Sequence, residues 1–166
     1  MEIRKLEKCH HRQLKEMFET VVEMLPSKDL LIVPTAEEIE CIFENNNSEF
    51  WGFFDEDDLL AVSSLSFDKE DFLEITNLLG IDGSTVAEVA ECMTLPQARG
   101  NNLMLKINTE LVNRAKEKGI KHLIATAHPD NKASNKSLEK LGMVCMGQFM
   151  RYGKYLRNYF VMNIDV

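Results

Sequence analysis

Between Leu95 and Thr109 the chain carries no aspartate or glutamate, although Asp and Glu outnumber Lys and Arg by 27 to 19 overall. Within that window the loop Gln97-Ala98-Arg99-Gly100-Asn101-Asn102 runs straight into a helical pattern that starts at Leu103. The first turn of a helix holds amide N–H groups with no partner inside the helix, and the helix dipole adds partial positive charge at the same place. Gly100 lets the backbone approach a ligand closely, and Arg99 and Lys106 are cationic. The run Arg99, Gly100, Asn101, Asn102, Leu103, Met104 therefore has the composition of a phosphate or pyrophosphate site. The competing reading is an ordinary helix start with an incidental arginine.

Two carboxylates stand just upstream. Val86 to Leu95 reads as a strand, and strict alternation puts Glu88, Ala90, Cys92 and Thr94 on one face and Val89, Glu91, Met93 and Leu95 on the other. Glu91 then lies among apolar neighbours, which is unusual for a carboxylate. Other clusters carry less chemistry. Cys9-His10-His11 are adjacent on a helix start and point in different directions, and Asp55-Glu56-Asp57-Asp58 suits a solvated hairpin turn better than a metal loop. Cys9, Cys41, Cys92 and Cys145 form no CxxC pair, so no metal centre and no disulfide framework is expected.

The elements that must position these groups follow from periodicity. The 166 residues, 45% hydrophobic and 28% charged, suit a single domain spanning 1–166. No run approaches a membrane span and the N-terminus lacks a leader-like apolar core, so a cytoplasmic protein is expected, with no membrane partner. A net charge of -8 argues against nucleic acid as a partner. Glu2 to Leu6 suggests an edge strand, and Leu14, Met17, Phe18, Val21 and Leu25 recur at helical spacing until Pro26. A capping box, Thr35 with Glu38, opens a second helix carrying Ile39, Ile42 and Phe43. Phe50–Phe54 and Leu59–Phe67 form a hairpin pattern. Phe72, Ile75, Leu78 and Leu79 mark a helical insertion between Asp68 and Gly83, stopped at Gly80.

Downstream of the loop, Leu103, Ile107, Leu111 and Ala115 make one helical stripe closed by Gly119. Leu123 to Ala127 reads as a buried strand, parallel to the preceding one through the helical crossover. Asp130 or Asn131 caps a further helix whose Ala133, Leu138 and Leu141 face inward before Gly142. Met143–Met150 and Arg157–Ile164 complete the pattern as two strands around Arg151-Tyr152-Gly153-Lys154-Tyr155.

The segment Thr94-Leu95-Pro96-Gln97-Ala98-Arg99-Gly100-Asn101-Asn102-Leu103-Met104, together with Asn131-Lys132-Ala133-Ser134 and Leu141-Gly142-Met143, resembles the GNAT superfamily of acyl-CoA-dependent N-acyltransferases. That family's signature is V-x-P-x-Y-R-G-x-G-x-G/A, then helix, strand, and an N-x-x-S or N-x-x-A helix ending in L-G-F. The best-matched part, Leu95 to Met143, is about a third of the chain. The resemblance implies an α/β (α+β) fold: one domain with a mixed, mostly antiparallel sheet of about seven strands in the order β-α-α-β-β-(α)-β-α-β-α-β-β.

It also implies an acetyltransferase that moves an acetyl group from acetyl-CoA to a primary amine of a small molecule by direct attack, without a metal. By the same resemblance Cys92, Met93 and Thr94 offer backbone groups to the pantetheine arm, Arg99 to Met104 hold the pyrophosphate, and Asn131 bonds the arm near the thioester. Asn102 and Met104 replace the family's later glycine and small residue, though Asn tolerates left-handed backbone angles. Leu138 stands where relatives often place a tyrosine acid, which leaves Tyr152, Tyr155 or His128 to protonate the thiolate. Glu91 matches the position of the family's glutamate and is the candidate base, with Glu88 as second candidate. The competing role for Glu91 is a structural ion pair with Arg151 or Arg157. Arg157 could equally receive an acceptor carboxylate, and the strand Arg157–Ile164 could pair across a homodimer. The alternative class is an acyl-CoA-binding sensor or scaffold module without catalysis.

Overall fold

The computed structural model describes residues 1–164. Its strands are β1 (Glu2–Lys5), β2 (Ser48–Asp55), β3 (Asp58–Ser66), β4 (Val86–Thr94), β5 (His122–Ala127), β6 (Val144–Arg151) and β7 (Tyr155–Asn163). The helices are α1 (His11–Glu23), α2 (Ala36–Glu40), α3 (Leu73–Leu79), α4 (Leu103–Glu117) and α5 (Lys132–Leu141). One seven-stranded sheet runs in the order β1-β2-β3-β4-β5-β7-β6. Every neighbouring pair is antiparallel except β4 with β5. The expected element order and mixed sheet are those observed. No helix among the described residues is long and apolar enough to cross a membrane.

Apolar periodicity explains the layers. Leu14, Met17, Phe18 and Val21 of α1 pack with Phe50, Phe54, Leu59, Val62 and Met93 on one face of the sheet. Leu103, Ile107, Leu111 and Ala115 of α4 pack with Ala61, Leu65, Ala87 and Val89 on the other. The insertion forms a short helix capped by Gly80 at φ +65. Its Phe72 and Ile75 are buried, but Leu78 faces solvent, because seven residues cannot carry the longer stripe that the spacing suggests. β7 has both edges paired, by β5 and by β6. The sheet's free edge on that side is therefore β6, and pairing of the C-terminal strand with a second chain would require its displacement.

A buried carboxylate, Glu49, met by three partly exposed cations ties α4 to β2. Arg114 donates to both carboxylate oxygens of Glu49 (2.9 and 3.0 Å), with Lys118 at 3.2 Å and Lys5 at 3.4 Å. Burial alone would raise the Glu49 carboxyl, but hydrogen bonds from Arg114, Lys118 and Trp51 hold it down at about 2. A depressed carboxylate stabilises the fold above its unfolded value near ~4.3 and loses that contribution as pH falls. Glu49→Gln is expected to cost about 2 kcal/mol at pH 7, less than for a fully buried pair because its cations reach solvent. In urea melts the gap from the wild type should close between pH 4 and 2, and a pH-independent gap would count against the assignment.

Two features of β4 shape the functional region. Its parallel pairing with β5 covers only Val86↔His122, Ala87↔Leu123 and Glu88↔Ile124, after which the strands part. On its other edge, Val62 pairs with Met93 and Ser64 with Ala90, so two steps along β3 face three along β4. The extra residue is a β-bulge at Glu91, whose φ is +44. A bulge bends its strand and increases local twist, and here it lies where β4 leaves β5. It also reverses the expected alternation. Cys92 joins Ala87 and Val89 on the α4 face, while Met93 moves to the α1 face.

Candidate active site

The splay opens a cleft of about 750 Å³. One end is lined by the β4–α4 loop and the start of α4, the middle by β4, Asn108 and α5, and the far end by the α1–α2 connection with Asp71, Arg151, Tyr152 and Arg157.

At the first end a 3₁₀ turn over Pro96–Ala98 leads into the loop. Asn101 Nδ2 ties the loop down by donating to the carbonyls of Ala98 (3.1 Å) and Arg99 (3.4 Å). Gly100 has φ +83 and Asn102 φ +56. Left-handed residues in such a loop gather successive N–H groups into an anion-binding concavity. Asn at position 102 thus takes the backbone conformation that a glycine would supply. The helix ladder begins with Lys106 N–H donating to the Asn102 carbonyl at 3.1 Å. Among the described residues no protein acceptor takes the N–H groups from Gly100 to Leu105. Arg99 lines this end, whereas Lys106 lies over the Phe53 ring at 5.6 Å and is not among the cleft residues. These free donors, in a segment from Leu95 to Thr109 that carries no acid side chain, fit a diphosphate.

In the middle, β4 beyond Glu88 has no strand on its β5 side, so the backbone edge around Cys92, Met93 and Thr94 faces the cleft unpaired. An extended amide-bearing arm fits such an edge. The Cys92 thiol is pushed up to about 11 by burial, against hydrogen bonds from Ser63 and Asn108. A thiol held neutral in this way is a poor nucleophile. Asn131 lines the cleft, and its side-chain oxygen caps α5 by accepting from Ser134 N–H at 3.2 Å. Leu138 is buried in the same wall, so that wall presents no hydroxyl at this position.

The titratable groups cluster where the sheet parts. The bulge brings Glu91 against Ser64, whose hydroxyl donates to the Glu91 carboxylate. Burial pushes Glu91 up to about 7; the Ser64 bond and Arg151 act against the rise, while Glu88 and Asp71 add to it. Its surroundings are therefore more polar than the simple alternation implies. The competing role for Glu91, an ion pair with Arg151 or Arg157, is not what forms. Arg151 instead makes a buried two-point contact with Glu88 (2.5 and 2.9 Å) and also bonds Thr126 (3.1 Å) and Asp71 (3.5 Å). Glu88 is thereby committed as a counter-ion, and among the described residues no cation lies within 4 Å of the Glu91 carboxylate.

Tyr152 sits in a left-handed conformation, φ +53, at the tip of the β6–β7 hairpin. Its hydroxyl donates to Asp71, and burial together with that carboxylate raises its pKa above the usual phenol range. Tyr155 and His128 are not among the cleft residues, and His128 Nδ1 instead accepts from the Asp130 amide at 3.0 Å. Two participants escape sequence reasoning: Ser64 and Asn108. The only available signal was polar residues interrupting apolar patterns, as in Ala61-Val62-Ser63-Ser64-Leu65 and on the α4 stripe at Asn108.

The family model described as the acetyltransferase (GNAT) family matches residues 13–143. No curated protein matches the chain at significant similarity. Among solved structures, an N-acetyltransferase from Staphylococcus aureus Mu50 superposes with TM-score 0.78 at 16% identity, covering 99% of this chain and 98% of the other. A ribosomal-protein-alanine N-acetyltransferase from Brucella melitensis gives TM-score 0.76 at 17% identity, with 98% and 99% covered. The yncA protein from Salmonella typhimurium, solved with its cofactor acetyl-CoA, gives 0.75 at 17% identity, with 100% and 95% covered.

Proposed function

Because the chain belongs to the GNAT acetyltransferase family, we propose that it transfers the acetyl group of acetyl-CoA to a primary amine of a small molecule by direct attack. The observation that carries this reading is the placement of Glu91, with a pKa of about 7, in the same cleft as the free amides of Gly100 to Leu105. Arg99 and those amides would hold the diphosphate, the bare edge at Cys92 to Thr94 would take the pantetheine arm, and Asn131 would border it from α5. Acetyl-CoA supplies an activated acyl carbon whose bond to sulfur is exchanged for a bond to the amine nitrogen.

The chain's own work is proton handling and placement. An amine is protonated near neutral pH and must lose a proton before or during attack. Glu91 accepts that proton, and Ser64 holds its carboxylate in one orientation. A base with a pKa near the working pH combines a sizeable ionised fraction with adequate basicity. Arg151, locked by Glu88, fixes the floor between β4 and β6. Tyr152 has its proton directed at Asp71, so to serve as an acid it must turn from Asp71 toward the sulfur. A CoA thiolate is a tolerable leaving group, and its departure does not depend on that turn. The apolar wall formed by Val21, Leu25, Pro26 and Leu31 suits a compact acceptor.

Release of free CoA thiol from acetyl-CoA across a panel of amines tests the proposal, with calorimetry of acetyl-CoA binding alongside. Thiol release that depends on a small amine is the expected result. Binding without release for any amine, amino acid or peptide would overturn transfer and favour a binding module. Release confined to peptide amines would remove the small-molecule acceptor.

A further inference from the structure

Arg157 lines the far end of the cleft and is 2% exposed. Burying a guanidinium is costly unless an anion offsets it, and the neighbouring Arg151 follows that rule through Glu88. Arg157 does not. Its donors reach only two carbonyl oxygens, those of Leu156 (2.7 Å) and Asp29 (2.6 Å), and no carboxylate within 4 Å pairs with it among the described residues. Five N–H donors are available on a guanidinium, so several remain uncommitted. The Tyr155 ring lies 5.5 Å from the guanidinium carbon and holds it from one side. Asp29, in the 3₁₀ turn Lys28–Leu30, anchors it from the α1–α2 connection. Arg157 directly precedes Asn158, which pairs with the last residue of β5, Ala127, so the cation stands just beyond the end of the strand that parts from β4.

From this geometry we propose that Arg157 is the carboxylate-binding residue of the acceptor pocket, and that the acceptor is an amine carrying a free carboxylate, a small amino acid or close analogue. The inference rests on the acetyl-transfer reading and narrows its acceptor. The acceptor's two charges find groups of opposite sign lining one cavity. Its carboxylate meets the planar fork of Arg157, which suits two parallel hydrogen bonds. Its ammonium faces the side bearing Glu91 and Asp71, where it gives up the proton that lets nitrogen attack. A peptide N-terminus or an amidated amino acid offers Arg157 only a neutral carbonyl.

The test compares amino acids with their primary carboxamides, matched side chain for side chain, in the thiol-release assay. Wild-type kcat/KM is expected to favour the acids by about 10- to 100-fold, mostly through KM, the range for a charge-assisted bond in a buried site. Arg157→Gln should bring the acids down to the level of the amides, and Arg157→Lys should retain part of the preference, with melting temperature confirming that each variant folds. A wild-type enzyme that uses amides as well as acids would overturn the inference while leaving acetyl transfer intact, and that comparison requires no variant. If no amine is acetylated, transfer itself fails, and calorimetry of the same pairs on CoA-loaded protein decides the Arg157 assignment. Selective binding of the acids supports it, and equal or absent binding overturns it.

Discussion

Glu91→Gln is expected to lower kcat by about 10²- to 10⁴-fold near pH 7, the span typical of losing a positioned general base. The substitution keeps the shape of the side chain and an acceptor for Ser64, and CoA affinity should remain close to that of the wild type. The pH dependence separates base catalysis from simple damage. With the carboxyl at about 7, wild-type kcat should rise through pH 7 as Glu91 ionises and then level off. In the variant that limb should vanish, and the rate should climb instead toward the pKa of the amine, near ~10 for an alkyl ammonium. The deficit is thus largest around neutrality and narrows in alkali. Wild-type rates at every pH would remove Glu91 from the mechanism.

The same residue has a stability signature of opposite sign to that of Glu49. Its folded pKa lies above the unfolded value near ~4.3, so the folded state holds the extra proton and stability falls as pH rises from about 4 to 7. Ionising Glu91 in place costs on the order of 3 kcal/mol above that window, and the uncharged variant should melt higher than the wild type at pH 8. A catalytic loss accompanied by a gain in stability is what a functional carboxylate in a costly position should show.

Gly100→Asp is expected to weaken CoA binding by about 10²-fold or more, because it sets a negative charge among amides gathered for a diphosphate. Space is not the obstacle, since a Cβ at Gly100 would meet nothing within 4 Å. Two effects remain: the left-handed backbone, φ +83, and the charge. Gly100→Asn distinguishes them, because it is isosteric with aspartate and tolerates left-handed angles. The asparagine variant should lose less than about tenfold, and the aspartate deficit should shrink at high ionic strength as salt screens the repulsion. Calorimetry with CoA checks both. Unchanged affinity in Gly100→Asp would mean that the diphosphate lies elsewhere.

These two residues mark how far reading along the chain reaches. The proposed cradle could be read from the sequence because its signals are local: an acid-free window, a glycine, and a helix whose apolar stripe begins at Leu103. Unpaired amides at a helix start follow from connectivity alone, whatever packs around them. The same holds for Asn102, whose left-handed geometry follows from a residue preference, and for the succession of strands and helices along the chain, which is a sum of short-range periodicities.

Glu91 shows the opposite case. Its position on β4 could be read in order, but its partners could not. The bulge that rotates it onto Ser64 arises from the register between β3 and β4, and register depends on side chains far apart in sequence. The pairing of Arg151 with Glu88 rather than Glu91 is decided 63 residues away, and Tyr152 meets Asp71 across 81. A carboxylate-binding role for Arg157 was one of two open readings in the sequence; only folding shows it buried on the carbonyl oxygens of Asp29 and Leu156, with no carboxylate within 4 Å among the described residues. The sequence by itself determined the order of elements, the loop proposed to hold the cofactor and the absence of a tyrosine at Leu138, because each depends on neighbours within a few residues. The tertiary structure alone decided which carboxylate meets Arg151, which meets Ser64, and which arginine is buried on carbonyl oxygens. Burial and charge pairing are properties of surfaces that meet only after the chain has folded.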